Sequence, residues 1–248
     1  MPASPPLRRS SRATPAETAA PAREPPPLDR SRHAAPQVVE YLRERIVGLD
    51  LIPGTVLSRS ELAAQFGLSQ TPIRDALMKL EEEGLVEIFA QHQTVVSRID
   101  IRAAQQAHFL RRCIEIEIVR GLAKAPDRDL ERRLRATIVL QTALLGGGDY
   151  QEFTRVDQSL HRQMYEAAGV PDLWDLVRRN SGHLDRLRRL HVPAEGKAQA
   201  IVRDHAAIVD AIFGADPGRA EASVRRHLSG TLAHVGTIRR RYAGYVTG

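Results

Sequence analysis

The chain changes from helical to extended apolar spacing near residue 85, and this change restricts the possible folds more than any other feature. Before it, apolar residues recur at intervals of three and four in three short segments: 38–47, 62–66 and 73–80. After it, the stretch 85–99 (LVEIFAQHQTVVSRI) is rich in β-branched residues and has a polar centre near Gln91 to Gln93, which predicts two short strands joined by a turn. Three helices followed by a β-hairpin form a winged helix-turn-helix.

Turn-forming residues mark where these helices begin and end. The Pro-Gly pair at 53–54 separates the first helix from the second, and Gly67 and Gly84 are the expected C-terminal stops of the second and third. Ser69 is a suitable N-cap for the third helix, and Pro72 is compatible with its first turn. The third helix is therefore predicted to begin close to residue 70.

The rest of the chain has helical periodicity and no strand pattern. About six amphipathic segments are separated by short turn sequences, namely APD, GGGD, GVPD, HVPAEG and GADPG. The predicted architecture is mostly α, with a winged helix-turn-helix at residues 35–100 and an all-α helical bundle at 101–245. Residues 1–34 are rich in Pro, Ala, Arg and Ser, which predicts a disordered arm whose arginines are more often solvated than bound to phosphate.

Charge and cysteine content limit the class of protein. The formal net charge is +6, but residues 35–100 contain six Lys and Arg against ten Asp and Glu, so the overall charge is no evidence that this segment binds DNA. No apolar run approaches the roughly 20 residues of a membrane span, and the N-terminus lacks the apolar core of a signal peptide. We expect a soluble, cytoplasmic protein. Its single cysteine, Cys113, excludes an intramolecular disulfide and is predicted to be a small buried residue on a helix.

Four polar residues occupy positions that the helical pattern assigns to a buried face. Asp157 and His161 stand one helical turn apart within an apolar stripe, and His205 and His227 occupy similar positions on two later helices. A single histidine so placed is usually a core residue with an ordinary hydrogen-bond partner. Four such residues on three helices favour a divalent metal ion, which would satisfy them together. We expect zinc, with nickel, manganese and iron as alternatives, and open coordination positions.

Residues 53–96 resemble the DNA-binding domain of the GntR family of bacterial regulators. The shared motifs are Pro-Gly before the second helix, LAAQFGLS across the turn, TPIRDAL at the start of the third helix and LEEEGLV before the hairpin. The helical remainder resembles the FCD ligand-binding domain of the FadR-like branch, so the resemblance covers about residues 35–245. It implies a homodimeric transcriptional regulator, more often a repressor than an activator, that binds a palindromic operator in double-stranded DNA.

The first turn of a recognition helix reaches base edges in the major groove, and this selects the candidate DNA contacts. They are Ser69, Gln70, Thr71 and Arg74. Arg59 of the second helix and His92 of the wing are further candidates. The family usually has arginine where this chain has Gln70, and Pro-x-Arg-Gly where this chain has Ala90, His92 and Gln93. Because arginine favours guanine and glutamine favours adenine, we expect an operator different from the family's commonest one. The alternative is that Gln70 and His92 are ordinary surface residues.

The resemblance also assigns roles in the helical domain. FCD metal sites use Asp and His one turn apart and then one His on each of two later helices, a pattern that the four polar residues match without a gap. Such regulators sense carboxylates and related metabolites, and Arg111 matches an arginine often found near the ligand. Its alternative role is a surface ion pair with Glu115. His183 is a second candidate for the effector pocket, although the basic run 183–191 more often forms a solvated face.

Two other classes of function fit parts of the sequence. In an enzyme, an open Asp and His metal site could activate water or bind a 2-oxo acid. However, the chain shows no further acid or base at a motif spacing and no nucleophile motif, and LLGGGDY lacks the Lys-Ser/Thr of a P-loop. The other class is a metal-stabilised structural bundle with a vestigial DNA-binding head. We predict a metabolite-responsive regulator without catalytic residues, whose helical domain binds a divalent metal and a small carboxylate.

Overall fold

The computed structural model describes residues 25–89 and 93–248 and has the predicted mostly α architecture. Most of the predicted arm lies outside these ranges, and so does the wing residue His92. An N-terminal winged helix-turn-helix is followed by a larger helical domain, and the predicted boundary at residue 100 falls between a short strand and the first long helix.

The N-terminal domain packs three helices against a small sheet. Its elements are α1 (Ala34–Val47), β1 (Val56–Leu57), α2 (Arg59–Phe66), α3 (Gln70–Glu82), β2 (Val86–Ile88) and β3 (Thr94–Val96). Strand β3 lies in the middle of the sheet and pairs antiparallel with both β1 and β2. The hairpin of β2 and β3 was predicted; β1 was not, because two residues are too few to show a period-2 pattern. Gly67 ends α2 in the left-handed conformation, with a φ of 62°.

The C-terminal domain is helical, and every predicted break is observed. Its elements are α4 (Ile101–Lys124), α5 (Arg128–Ala143), α6 (Tyr150–Ala167), α7 (Pro171–Asn180), α8 (Gly182–His191), α9 (Lys197–Phe213), α10 (Pro217–Ser229) and α11 (Val235–Arg241). A further break between α7 and α8 lies at Ser181, whose buried hydroxyl donates to the carbonyl oxygen of Val177 at 2.7 Å. No helix within the described ranges is both long and apolar enough to span a membrane.

The two ends of this domain meet in a small parallel pair that was not predicted. Strand β4 (Ile99–Asp100) leads into α4, and β5 (Val246–Thr247) near the C-terminus pairs with it. The backbone N–H of Ile99 also donates to the carbonyl oxygen of Tyr245 at 2.8 Å. The chain that joins the two domains is thereby held by the C-terminal segment.

Two sequence-based expectations about exposure are wrong. Cys113 is exposed, because it lies on the outer face of α4, whereas Arg111 and Glu115 on the inner face are buried. The basic run 183–191 is not a solvated face, because α8 lies against both α1 of the N-terminal domain and α4 of the C-terminal domain. The pattern of one helix cannot show that neighbours cover both of its faces.

A buried arginine on α8 joins the two domains. Arg186 is fully buried and donates to the carbonyl oxygen of Ser97 at 2.7 Å and to its hydroxyl at 3.2 Å. The Ser97 hydroxyl in turn donates to the carbonyl oxygen of Gly84, the residue that follows α3 and its C-cap. Burial lowers the pKa of Arg186 to about 10, so the side chain remains charged at neutral pH. Helix α8 is thus attached to the end of the recognition helix.

Candidate metal centre and DNA-binding surface

The start of α3 forms an exposed surface with the start of α2. Gln70, Thr71 and Arg74 are exposed on α3, and the N-cap residue Ser69 is exposed as well. The Ser69 hydroxyl makes no capping hydrogen bond, so the first N–H groups of α3 are available to an oxygen of a phosphate. A shallow groove brings Gln70 together with Arg59. Five of the six predicted DNA contacts therefore lie at or beside the first turn of α3; the sixth, His92, is outside the described residues.

Acidic residues at the far end of α3 are used within the domain. Glu83 accepts two hydrogen bonds from the guanidinium of Arg43, at 2.6 and 2.7 Å. Glu81 accepts from the backbone N–H of Ile88 in the wing at 3.0 Å. Along the helix axis, Glu81 and Glu83 lie about 17 and about 20 Å from Gln70, since an α-helix rises 1.5 Å per residue. Their negative charge is therefore remote from the first turn, near which Asp75 lies 3.6 Å from Arg74.

The four polar residues predicted from the helical pattern meet in the core of the C-terminal domain. Asp157 and His161 of α6, His205 of α9 and His227 of α10 are buried, and one ligand atom of each lies within 4.8 Å of the others. Nε2 of His227 is 3.2 Å from Nε2 of His161 and 3.3 Å from Nε2 of His205. Oδ1 of Asp157 is 3.5 Å from Nε2 of His205. Four potential ligands thus face one centre.

Two further side chains orient the imidazoles from behind. Oε2 of Glu115 on α4 lies 3.0 Å from Nδ1 of His161, and Oε1 of Gln141 on α5 lies 2.7 Å from Nδ1 of His205. The Gln141 oxygen places the ring proton of His205 on Nδ1, so Nε2 of that ring directs a lone pair towards the centre. Glu115 contacts His161 outside hydrogen-bond geometry. Burial lowers the pKa of His205 to about 3 and that of His227 well below its usual range. Both rings are therefore neutral, the form that binds metal ions.

The spacing and chemistry of this group fit a divalent metal ion. Two ligands about 2.1 Å from a zinc ion and at the tetrahedral angle are about 3.4 Å apart, close to the separations of the Nε2 atoms. Oδ1 of Asp157 is buried and has no hydrogen-bond donor within the described ranges, as expected of an oxygen that binds a metal. Imidazole and carboxylate together suit zinc, nickel, manganese or iron.

An arginine of α8 binds the other oxygen of the metal-site carboxylate. Nη2 of Arg188 donates to Oδ2 of Asp157 at 2.5 Å. Burial alone would raise the pKa of Asp157, but Arg188 and the neighbouring histidines hold it well below its usual range. Arg188 also contacts Asp185 at 3.4 Å, and Asp185 accepts from Arg178 at 2.6 Å. A chain of ion pairs therefore runs from the metal group to the edge of α7.

A small cavity adjoins the metal group, and three cationic side chains, Arg111, Arg188 and Lys197, are part of its lining. Its volume is about 20 Å³, and its polar lining includes His108, Arg111, Arg188, Lys197 and His227. Arg111, the first predicted effector contact, lines it and also donates to Glu115 at 2.6 Å. That ion pair is buried, with 6% of the Arg111 side chain exposed, and is not the surface pair considered as the alternative. The cavity has room for about one water-sized group.

The second predicted effector contact, His183, is absent from this cavity. Its Nδ1 accepts from the backbone N–H of Asp100 at 3.0 Å, and its Nε2 lies against Gly84. Gly84 has a φ of 70°, and a Cβ added there would be 2.9 Å from Nε2 of His183. His183 therefore lies at the junction between the domains. Leu184 and Arg188, which do line the cavity, lie on a different face of α8.

Sequence reasoning missed three residues that contact the candidate metal ligands: Glu115, Gln141 and Arg188. Glu115 was considered as a partner of Arg111, which it is, but not as a partner of His161. Gln141 follows Leu130 and Leu134 at helical spacing, so its place on the buried face of α5 could have been predicted. Nothing in the local pattern distinguishes Arg188 from the other arginines of its basic run.

Comparison with known proteins supplies an independent description of both domains. Residues 34–96 match the model of the bacterial regulatory proteins of the gntR family, and residues 106–230 match the FCD domain. The chain is 34% identical to an HTH-type transcriptional regulator in an unstable DNA locus of Streptomyces ambofaciens, over 80% of this chain and 83% of that protein. It is 26% identical to the HTH-type transcriptional repressor RspR of Escherichia coli K12, over 82% and 90%. The structure of Escherichia coli McbR/YncC has the same fold, with a TM-score of 0.69, 17% identity and coverage of 84% and 98%.

Proposed function

This chain belongs to the GntR family of bacterial regulatory proteins and has an FCD domain, and from that premise we propose that a metal-bound small carboxylate controls its binding to DNA. Family membership makes it a DNA-binding transcriptional regulator, and the names of its relatives are those of regulators and not of enzymes. The observation that carries the proposal is the buried group in which three imidazoles and one carboxylate face a common centre: Asp157, His161, His205 and His227.

The bound ion would supply a Lewis-acidic position for an oxygen of the effector. We propose zinc, with nickel, manganese or iron as alternatives. Arg111 and Arg188 flank the adjoining cavity, and a guanidinium binds a carboxylate through two parallel hydrogen bonds. Because a cavity of about 20 Å³ is too small for a metabolite, the effector has to displace Arg188 from Asp157.

Movement of Arg188 would reach the DNA-binding domain through α8. The same helix carries Arg188 at the metal group and Arg186 at the domain junction, where Arg186 binds Ser97. Ser97 binds Gly84 at the end of the recognition helix. Helix α8 would then have two arrangements, one with Arg188 bound to Asp157 and one with that ion pair broken. An effector changes the affinity for an operator only if it binds these two arrangements with different affinities, and an effector that replaces the ion pair binds the second more tightly.

We propose that the regulator acts as a homodimer in the cytoplasm and represses transcription. Two recognition helices related by a two-fold axis address the two halves of a palindromic operator. The repressor name of RspR supports repression as the mode of action.

The function is tested by footprinting the purified full chain on the DNA upstream of its own gene, at a stated salt concentration. We expect protection of a short palindrome, and a chelator should change the protein concentration needed for half protection. Arg74→Ala should weaken protection by about tenfold to a hundredfold, because Arg74 is an exposed cation on the first turns of α3. Failure to protect this DNA and failure to select any site from a random library would contradict sequence-specific binding. Protection by a protein that contains no metal, with no effect of chelator, would contradict metal control.

Substitution of Gln70 by arginine should change the preferred base at one position of each half-site from adenine to guanine. Gln70 is exposed at the first position of α3, and a bidentate contact discriminates between bases by about 1–3 kcal/mol. The measurement is site selection from a random library. The control is Gln65→Arg, which adds the same charge on an exposed position of α2 and should strengthen binding without altering the selected sequence. An unchanged selected sequence for Gln70→Arg would identify Gln70 as an ordinary surface residue.

A further inference from the structure

A second cavity lies between the two domains, and we call it the interdomain cleft. Its volume is about 180 Å³, and four arginines against two carboxylates line it. The polar lining consists of Arg43 and Glu44 of α1, Gln151, Thr154, Arg155 and Gln158 of α6, Arg178 of α7, and Asp185 and Arg189 of α8. No residue that lines it also lines the cavity beside the metal group. A dry engineered cavity of about 150 Å³ holds benzene, so the interdomain cleft has room for a molecule of about six to eight non-hydrogen atoms.

Arg189 differs from the other arginines of the interdomain cleft. Arg43 is paired with Glu83, Arg178 with Asp185, and Arg155 with Glu152 of its own helix: three carboxylates for three guanidinium groups. Arg189 instead donates from Nε to the neutral carbonyl oxygen of Gly48 at 3.2 Å. Its Nη1 is buried and has no hydrogen-bond acceptor in the described part of the chain. Arg189 therefore lines the interdomain cleft without a carboxylate partner among the described residues, and an anion bound in the cleft would supply one.

We propose that the interdomain cleft binds a small oxyanion, a carboxylate or a phosphate, through the guanidinium of Arg189. Arg155 of α6 provides a second cation in the lining. Its side chain is 71% exposed and pairs with Glu152 across one turn of α6 at the surface, where an anion can compete with that carboxylate. The hydroxyl oxygen of Thr154 donates to Tyr150, so it remains an acceptor for a hydroxyl group on the same ligand.

An anion in the interdomain cleft would connect the two domains directly. Gly48, which binds Arg189, is the C-cap of α1 in the DNA-binding domain, whereas Arg155 and Arg189 belong to the helical domain. The bound anion would therefore favour the arrangement of domains in which these groups face each other. The lining contains none of the four metal-site residues, so none of them contacts the bound anion.

The test is isothermal titration of the full chain, loaded with zinc and freed of excess metal, with succinate and with inorganic phosphate in separate experiments. We expect saturable binding of at least one anion at one site per chain. Arg189→Gln should weaken it at least tenfold, and so should Gln151→Glu, which places a negative charge on an exposed position of the rim. Gln151→Glu tests the site even if Arg189→Gln does not fold. Arg120→Gln, which removes an exposed arginine outside the interdomain cleft, should bind as the wild type does.

Comparison with a metal-free variant separates this site from the proposed effector site. His205→Ala with His227→Ala removes two metal ligands and should leave anion binding unchanged. Loss of binding in that double variant would place the anion at the metal and overturn the proposal. Binding that both cleft variants retain would also overturn it. If the heat of titration does not saturate, and chloride at the same ionic strength gives the same heat, the site holds an adventitious ion only and the proposal is overturned.

Discussion

Replacement of His227 by alanine should reduce the divalent metal that copurifies with the protein from about one ion per chain to almost none. Nε2 of His227 is the atom nearest to both other imidazoles, at 3.2 and 3.3 Å, so its loss removes the ligand that joins them. Wild-type protein in zinc at one hundred times its dissociation constant is stabilised by about 2.7 kcal/mol. That corresponds to a rise of roughly 5–10 °C in melting temperature, which the variant should lack. Elemental analysis and thermal denaturation measure the two effects.

The control for this prediction is His33→Ala, because His33 is an exposed histidine outside the metal group. It should keep the metal and the full response of melting temperature to zinc. His227→Ala should melt at about the temperature of wild-type protein treated with chelator, which separates loss of metal from damage to the core. Metal content near that of the wild type in both His227→Ala and His205→Ala would identify these residues as ordinary core histidines.

The buried group of one aspartate and three histidines could be predicted from the sequence because each of its four residues interrupts a regular apolar stripe. The helical period is a local property, so the stripe alone places Asp157, His161, His205 and His227 on buried faces. A buried polar group needs a partner, and four such groups on faces that should be apolar favour a shared one. The same reasoning applies to Gln141, which continues the buried stripe of α5.

Features that depend on contacts between distant segments could not be predicted in this way. The pairing of β4 with β5 brings together residues almost 150 positions apart, and each strand has only two residues. Helix α8 has arginines on several sides, and only the packed domains show that Arg186 faces the junction and Arg188 the metal group. The exposure of Cys113 has the same origin, because the buried side of α4 is determined by α9, α10 and the other helices packed against it.

Replacement of Arg186 by alanine should lower the free energy of unfolding by about 2–4 kcal/mol. The side chain is 0% exposed and donates to both the carbonyl oxygen and the hydroxyl of Ser97. Its removal leaves buried acceptors unpaired, at about 1–3 kcal/mol, and creates a cavity. Relief from burying a guanidinium without a carboxylate partner offsets part of that loss. Urea denaturation followed by circular dichroism measures the change.

Two variants show whether the hydrogen bonds or the volume of Arg186 hold the domains together. Arg186→Met keeps most of the volume without the donors, so it should be destabilised less than Arg186→Ala and should still lose the effect of chelator on operator binding. Arg179→Ala removes an exposed arginine at the end of α7 and should change the free energy of unfolding by less than about 0.5 kcal/mol. If Arg186→Met retains the full response to chelator, the path from the metal group to the recognition helix does not run through Ser97 and Gly84, because these contacts would then be dispensable.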